Sequence, residues 1–454
     1  MQLKSLFPAM VGFWRRLRDD RRGNVLMILG FSIIPLTLAT GMAVDYARAA
    51  RLQTKLNAAA DAAALLAVSK QMMLQTNSTA QTAAQNFFDS QTVNQPGLIY
   101  SSSNRTVTIT GGVGASNTRT AVVTYTANST NAFSGVLGMS SVGIGGTSTA
   151  TSSQAPNIDF YVMLDTSPSM LLPATTAALA TMTTKTGGCA FACHQTTTTS
   201  SDPGGTTKDG SGKYIDYYQV ARNNSLTLRT DLVTEAVQNL TDVATTTSAS
   251  NGAHYRMGLY QFDYRYQKVW PTTSAVVDAS LSTVKTHVTD AQILTYCTNN
   301  NRVCGTGDND TGTNFTAAFT GALGSMPTAP GQGTNVVGDT PMALLFIVTD
   351  GMRDELNGGS RFMGPIPTAQ CDTIKARGIR IAVLHTEYLA ASASDSWSIS
   401  NVKTPYLSPT DNISPALISC ASPGLYYQVS TDSDITAALA ALFQKAVATA
   451  HLIQ

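Results

Sequence analysis

Hydrophobic spacing changes twice along the 454-residue chain. Twenty residues from Val25 to Val44 carry no charged side chain, and at about 1.5 Å per helical residue that length matches a hydrocarbon core of about 30 Å. Strong helix formers follow, in Asp45-Tyr-Ala-Arg-Ala-Ala-Arg and then Asn57-Ala-Ala-Ala-Asp61-Ala-Ala-Ala-Leu. The spacing therefore predicts one helix that leaves the bilayer and continues. Between about Gln75 and Ser153 the pattern shifts to alternation, as in Thr106-Val-Thr-Ile-Thr110 and Ala121-Val-Val-Thr-Tyr125. These predict strands with turns at Gly111-Gly112 and Asn117, and the run 143–156 reads as a linker or edge strand.

From residue 157 onward, apolar runs alternate with amphipathic stretches. Phe160-Tyr-Val-Met-Leu164 and Ala343-Leu-Leu-Phe-Ile-Val-Thr read as strands buried on both faces, joined by 255–262, 379–385 and 426–430, with 266–270 as an edge. Helices are predicted at 227–240, where Leu228, Leu232, Val233, Val237 and Leu240 share a face, at 312–325 and at 435–450. Such alternation predicts an α/β fold with a doubly wound, mostly parallel sheet, whose ligand-binding loops lie at the carboxyl ends of the strands. Segment 172–216 is rich in Thr and Gly without periodicity and reads as an insertion. Three regions result: 1–74 with the membrane segment and its helical extension, 75–156 as a β-rich spacer and linker, and 157–454 as the α/β domain.

Charge orients the chain. Arg15, Arg16, Arg18, Arg21 and Arg22 precede the apolar run, which by the positive-inside rule places the N-terminus in the cytoplasm and everything after Asp45 outside, as a single-pass protein. A cleavable signal would have a shorter apolar core and a small-residue cleavage site. With 29 basic and 28 acidic residues and 13% charged residues overall, the chain lacks the basic excess of a nucleic-acid binder.

The candidate chemistry lies where the first buried strand stops. Asp165, Ser167 and Ser169 place one carboxylate and two hydroxyls at alternate positions, all hard oxygens of the kind Mg²⁺ takes. Asp350-Gly351 ends a second buried strand, and Gly312-Thr313-Asn314 opens an amphipathic helix. Together the three segments resemble the von Willebrand factor A (vWA) domain and its metal-ion-dependent adhesion site. That resemblance, over roughly 157–450, implies that Asp165, Ser167, Ser169, Thr313 and Asp350 hold Mg²⁺ (or Mn²⁺ or Ca²⁺). It further implies that a partner protein's acidic side chain completes the coordination. Asp308, Asp310 and Thr311 read as capping or solvating the loop before Thr313, with further oxygens for the metal site as the alternative, and Asp263, His254 and His385 read as ordinary core or surface residues.

The segment from Arg22-Gly-Asn-Val to Asn57-Ala-Ala-Ala-Asp-Ala-Ala-Ala-Leu resembles the TadE/TadG-like N-terminal region of tight-adherence (Flp) pilus assembly systems. Substrates of the prepilin peptidase carry a Glu five residues after the cleavage-site Gly, and Ile28 stands there, so the resemblance implies an uncleaved anchor in a bacterial inner membrane. It also implies a periplasmic or surface-exposed vWA domain and partners among pilus-assembly or envelope proteins; homo-oligomerisation stays open. The Ala-rich run is read either as an assembly surface or as a free or coiled helix.

Six cysteines, Cys189, Cys193, Cys297, Cys304, Cys371 and Cys420, are disulfide candidates for an oxidising compartment. The sequence-near pairs Cys189–Cys193 and Cys297–Cys304 would leave Cys371 with Cys420, although six cysteines allow 15 pairings. Cys189-Ala-Phe-Ala-Cys193-His194 has three residues between its cysteines where haem attachment needs two. The expected function is thus non-enzymatic, with a redox or metal-dependent enzyme at Cys189–Cys193–His194 and a purely structural envelope stalk as alternatives.

Overall fold

The computed structural model describes residues 23–112, 117–198, 205–298, 301–304, 310–334, 338–430 and 432–450. The five arginines at 15–22 and Asp308 lie outside these. The chain divides into two compact units, Met1–Ser153 and Gln154–Gln454.

In the first unit, α1 (Gly23–Ala67) is a single 45-residue helix with Pro35 inside its apolar half, continuous across the membrane segment and its extension as predicted. Its apolar side chains from Leu26 to Leu36 are exposed all round, whereas from Ala49 onward one face is buried. Leu52, Leu56, Ala60, Ala63, Ala64 and Ala67 pack there against a sheet. The Ala-rich run is therefore neither a free helix nor a coiled one, because it forms half of this unit's core. Small side chains let the helix lie close to the sheet: a Cβ on Gly146 would come within 2.3 Å of Asn57 Oδ1.

That sheet is antiparallel. Strand β3 (Thr118–Thr130) is central, with β4 (Ser141–Ser153) along one side and both β1 (Leu98–Ile99) and β2 (Arg105–Gly111) along the other. Val107, Val123, Tyr125 and Ile144 face inward by the period-two rule. The run 143–156, read as a linker or edge strand, is mostly the edge strand β4. The start of the region read as β-rich is helical: α2 (Asn77–Thr92) buries Ala80, Ala84 and Phe88 at four-residue spacing, and Thr76 caps it by accepting from Thr79 N–H. Arg119, buried in β3, donates to the carbonyls of Met72 and Gln75, satisfying backbone groups after α1 ends.

In the second unit, a six-stranded sheet runs in the order β12 (Tyr426–Val429), β11 (Arg380–Thr386), β8 (Met342–Thr349), β5 (Ile158–Asp165), β6 (Tyr255–Phe262), β7 (Tyr266–Trp270). All neighbours are parallel except β6–β7. Every residue of β5 is buried, as the unbroken apolar run requires when helices cover both faces. One face packs Phe160, Val162, Leu164 and Phe346 against α5 (Arg229–Asn251), α6 (Leu281–His287) and α10 (Ile435–Ala448). The other packs Tyr161, Met163, Leu345 and Ile347 against α7 (Phe315–Ser325), α8 (Thr368–Ala376) and α9 (Ile413–Cys420). The predicted doubly wound α/β architecture is what forms.

Three features depart from the sequence reading. Within 172–216, α3 (Thr176–Thr186) forms, capped by Thr175 and closed by Gly187 at φ +74°. Its threonines bond back to carbonyls four residues earlier, which satisfies hydroxyls that otherwise compete with helix. The insertion also packs: Met182 and Ala192 meet Leu171, Leu228 and helix α4 (Tyr217–Asn223), whose Tyr217 and Val220 complete a small separate core. The third feature is a hairpin of β9 (Met352–Asn357) and β10 (Ser360–Pro365) that turns on Gly358-Gly359, both at positive φ.

Candidate metal centre

Strands β5 and β8 are parallel neighbours in register, Leu164 opposite Val348, so Asp165 and Asp350 emerge together at their carboxyl ends. Both are buried, 3% and 0% exposed. The Ser167 N–H donates to Asp165 Oδ1 (2.9 Å) and the Thr349 hydroxyl to Oδ2 (2.5 Å). Ser167 and Ser169 share a hydrogen bond of 2.9 Å between their hydroxyls. Gly351 takes φ +78°, and a Cβ there would lie 2.6 Å from Leu417 Cδ1, so only glycine turns the chain at this point. Met352 N–H then donates to Asp350 Oδ1 (3.0 Å). Asp350 Oδ2 has no hydrogen-bond partner, although the Ser169 hydroxyl lies near enough to offset part of the rise that burial imposes on this carboxyl.

Thr313 belongs to the same surface. It forms a two-hydrogen-bond bridge with Asp354 of β9, 2.9 Å each way, and its neighbour Gly312 approaches Pro168 so closely that a Cβ would lie 3.0 Å from the ring. The three predicted loops thus meet: Asp165, Ser167, Ser169 and Asp350 through direct interactions, and Thr313 through its neighbours.

Electrostatics fit a cation. Burial, and then the charge of Asp350, push the Asp165 carboxyl up to about 7, and burial raises Asp350 as well. Two buried carboxyls, both raised chiefly by burial and one with an unpartnered oxygen, and three neutral hydroxyls form an oxygen set suited to Mg²⁺. Sequence reasoning missed Thr349, which orients Asp165, and Arg229, whose buried guanidinium has unpartnered Nη1 and Nη2 and acts electrostatically on Asp350. Nothing in the spacing marked either, since both are placed by the tertiary fold.

Other candidates fall elsewhere. Asp310 pairs with Arg361 at 2.6 Å, and the Thr311 hydroxyl accepts from Arg302 at 3.0 Å. Asp263 pairs with Arg265, and His385 is buried, its Nδ1 2.9 Å from the Tyr426 hydroxyl. Cys297–Cys304 and Cys371–Cys420 are disulfides, whereas Cys189 and Cys193 are free thiols, contrary to the pairing weighed for them. His194 Nδ1 lies 2.8 Å from Asp216 Oδ2, and its ring stacks on Tyr218. Among the described residues no three His, Cys, Asp or Glu side chains cluster as metal ligands; the centre at Asp165 has two acids and relies on hydroxyls.

No curated protein matches the chain. Solved structures are similar to it at low identity, among them the following three. BatB from Bacteroides thetaiotaomicron is 12% identical, with 64% of this chain and 100% of that one covered and a TM-score of 0.34. The vWF domain of the type V pili tip protein Mfa5 from Porphyromonas gingivalis is 9% identical, with 66% and 96% covered and a TM-score of 0.32. Proximal thread matrix protein 1 from the mussel byssus, with a zinc-occupied MIDAS motif, is 12% identical at a TM-score of 0.34; 65% of this chain and 49% of that one are covered, so the chain spans about half the length of that relative. Likeness at this level carries no argument, and the fold assignment rests on strand order and register. One family model, described as "Putative Flp pilus-assembly TadE/G-like", matches residues 23–70. Over that segment, α1 and its extension, the chain is TadE/G-like.

Proposed function

We propose that this is a single-pass, membrane-anchored component of a Flp-type pilus assembly system, whose second unit docks a partner through a divalent cation held by Asp165, Ser167, Ser169, Thr313 and Asp350. The observation that carries the reading is the buried Asp165–Asp350 pair, both raised and with Asp350 Oδ2 unpartnered. When bound, the cation supplies an open coordination position. The residues do the rest: two ionised carboxylates balance the divalent charge, the surrounding hydroxyls are neutral, and the guanidinium of Arg229, which acts electrostatically on Asp350, leaves the site net positive, so an external carboxylate is attracted. The TadE/G-like match supports the pilus setting, and the apolar first half of α1, from Leu26, fits a bilayer anchor. The reading is non-enzymatic, because the nearby imidazole, His385, is buried and pushed down to about 4, mainly by desolvation, and so is a hidden neutral group.

Calorimetric titration of the detergent-solubilised protein with Mn²⁺ and Mg²⁺ tests this. Binding should be lost in Asp350→Ala, along with chelator-sensitive capture of envelope partners, while the far-ultraviolet circular dichroism is unchanged. Wild-type cation affinity in Asp350→Ala would overturn it. A second reading, redox chemistry at Cys189 and Cys193, has one observation in its favour: both thiols line a cavity of about 520 Å³ beside Arg361 and Trp397. A Cys189→Ser/Cys193→Ser variant that assembles pili normally would remove it.

A further inference from the structure

We infer that the loop 131–140 of the first unit seats in the lipid interface beside the point where α1 leaves the hydrocarbon, so that this unit contacts the bilayer at two places. The proposal rests on reading α1 as a membrane span. A turn between two antiparallel strands is ordinarily polar, yet this one exposes Phe133 (50%), Val136 (81%), Leu137 (51%) and Met139 (51%). No charged residue occurs from 126 to 140. Scattered exposed apolar residues are normal in soluble proteins, but four within seven positions form a patch that calls for an occupant.

The loop's position identifies that occupant. Asp45, the first charged residue after the apolar run, accepts hydrogen bonds from the N–H groups of Ala132 (2.8 Å), Phe133 (3.0 Å) and Ser134 (2.7 Å) and from the Ser134 hydroxyl (2.9 Å). These four bonds fix the loop at the level of residue 45 on α1. One turn earlier, a Cβ on Gly41 would lie 2.5 Å from Phe133 Cβ, so only glycine lets the aromatic ring lie against the helix backbone. Between them runs an apolar groove of about 360 Å³ lined by Ile33, Leu36, Val44 and Phe133. The groove opens onto the same surface as the exposed span, where only 6% of the apolar window is buried. Continuity with the span, the absence of charge and an apolar groove that begins at Ile33 point to acyl chains rather than a protein, as for interfacial anchors that bury apolar side chains at the headgroup boundary.

Photolabelling tests the assignment on the unmodified full-length chain in phosphatidylcholine vesicles containing a phospholipid with an acyl-chain diazirine, the adducts being mapped by peptide mass spectrometry. Adducts are expected on the span and on residues 133–139, and none around exposed Leu74. The double variant Val136→Asp/Leu137→Asp leaves the Asp45 and Gly41 contacts in place; it should lose the loop adducts and keep those on the span. A labelled span with an unlabelled loop would overturn the proposal and leave the patch to a protein partner or a second copy. Loop labelling that persists in the double variant would overturn it too. An unlabelled span would instead remove the anchor reading on which it stands.

Discussion

Replacing Asp165 with Asn should flatten a pH dependence of stability that the cation-free protein otherwise shows. In the folded chain this carboxyl is raised from 3.8 to about 7, by burial and by Asp350. At about 1.4 kcal/mol per pKa unit, ionising it in place costs on the order of 4 kcal/mol. The native state holds a proton that the unfolded chain has already released, so the stability is intact below about pH 4 and is lost as pH rises to about 7. On the order of 3 kcal/mol of that loss falls between pH 5 and pH 8. For a unit of this size it corresponds to a fall in Tm of roughly 5–10 °C. Melts in chelator can be followed by tryptophan fluorescence, since Trp270 and Trp397 both lie in the second unit. Subtracting the Asp165→Asn curve removes the contribution of His385, which is held down to about 4 by burial and acts with the opposite sign. Mg²⁺ at about a hundred times its Kd should restore about 2.7 kcal/mol at pH 8 in the wild type and much less in the variant. Parallel curves for the two proteins from pH 5 to pH 8, or a wild type indifferent to Mg²⁺ at pH 8, would refute the reasoning.

Gly312→Ala would drive a methyl to 2.5 Å from the Tyr296 hydroxyl and 3.0 Å from Pro168; the Mg²⁺-induced rise in Tm should shrink several-fold, and an undiminished rise would show that the two loops need not touch. Phe88→Ala empties a fully buried site beneath β3 and should cost about 3–5 kcal/mol, read as faster amide exchange in β3. Arg119→Met abandons the carbonyls of Met72 and Gln75 and should cost at least about 2 kcal/mol, since its hydrogen bonds are charge-assisted; exchange confined to residues 67–75 would report it. Alkylation in denaturant without reductant should mark Cys189 and Cys193 and spare the four disulfide cysteines, whereas a 189–193 disulfide peptide would contradict the free thiols.

The parallel sheet was legible because runs such as Phe160–Leu164 and Leu344–Val348 are apolar without a break, a pattern that only a two-sided core tolerates. The acids at their ends were legible for the same reason: a carboxylate directly after such a run has to be explained. Helix α2 was harder to see, as its three-residue stripe of Ala80, Ala84 and Phe88 is set among Ser, Thr and Gln. The Thr-rich α3 was hidden because threonine favours helix only where its hydroxyl finds a backbone carbonyl, which depends on conformation. Thr349 and Arg229 could not be read at all. Their roles come from β5 lying beside β8 and from α5 starting next to both, contacts between segments far apart in sequence.

Helix α1 also has a mechanical consequence. Its 45 residues span roughly 68 Å at 1.5 Å per residue, and its second half is bonded along its length to the antiparallel sheet by packing and by Gln53 and Asn57. Pro35 takes one hydrogen bond out of the ladder within the apolar half, and from there the helix runs on into the packed half, so that this arm works as a lever. With α1 anchored in a bilayer as proposed, a change in tilt or rotation of that arm would swing or turn the sheet with it, and a load applied to the sheet would reach the bilayer as torque.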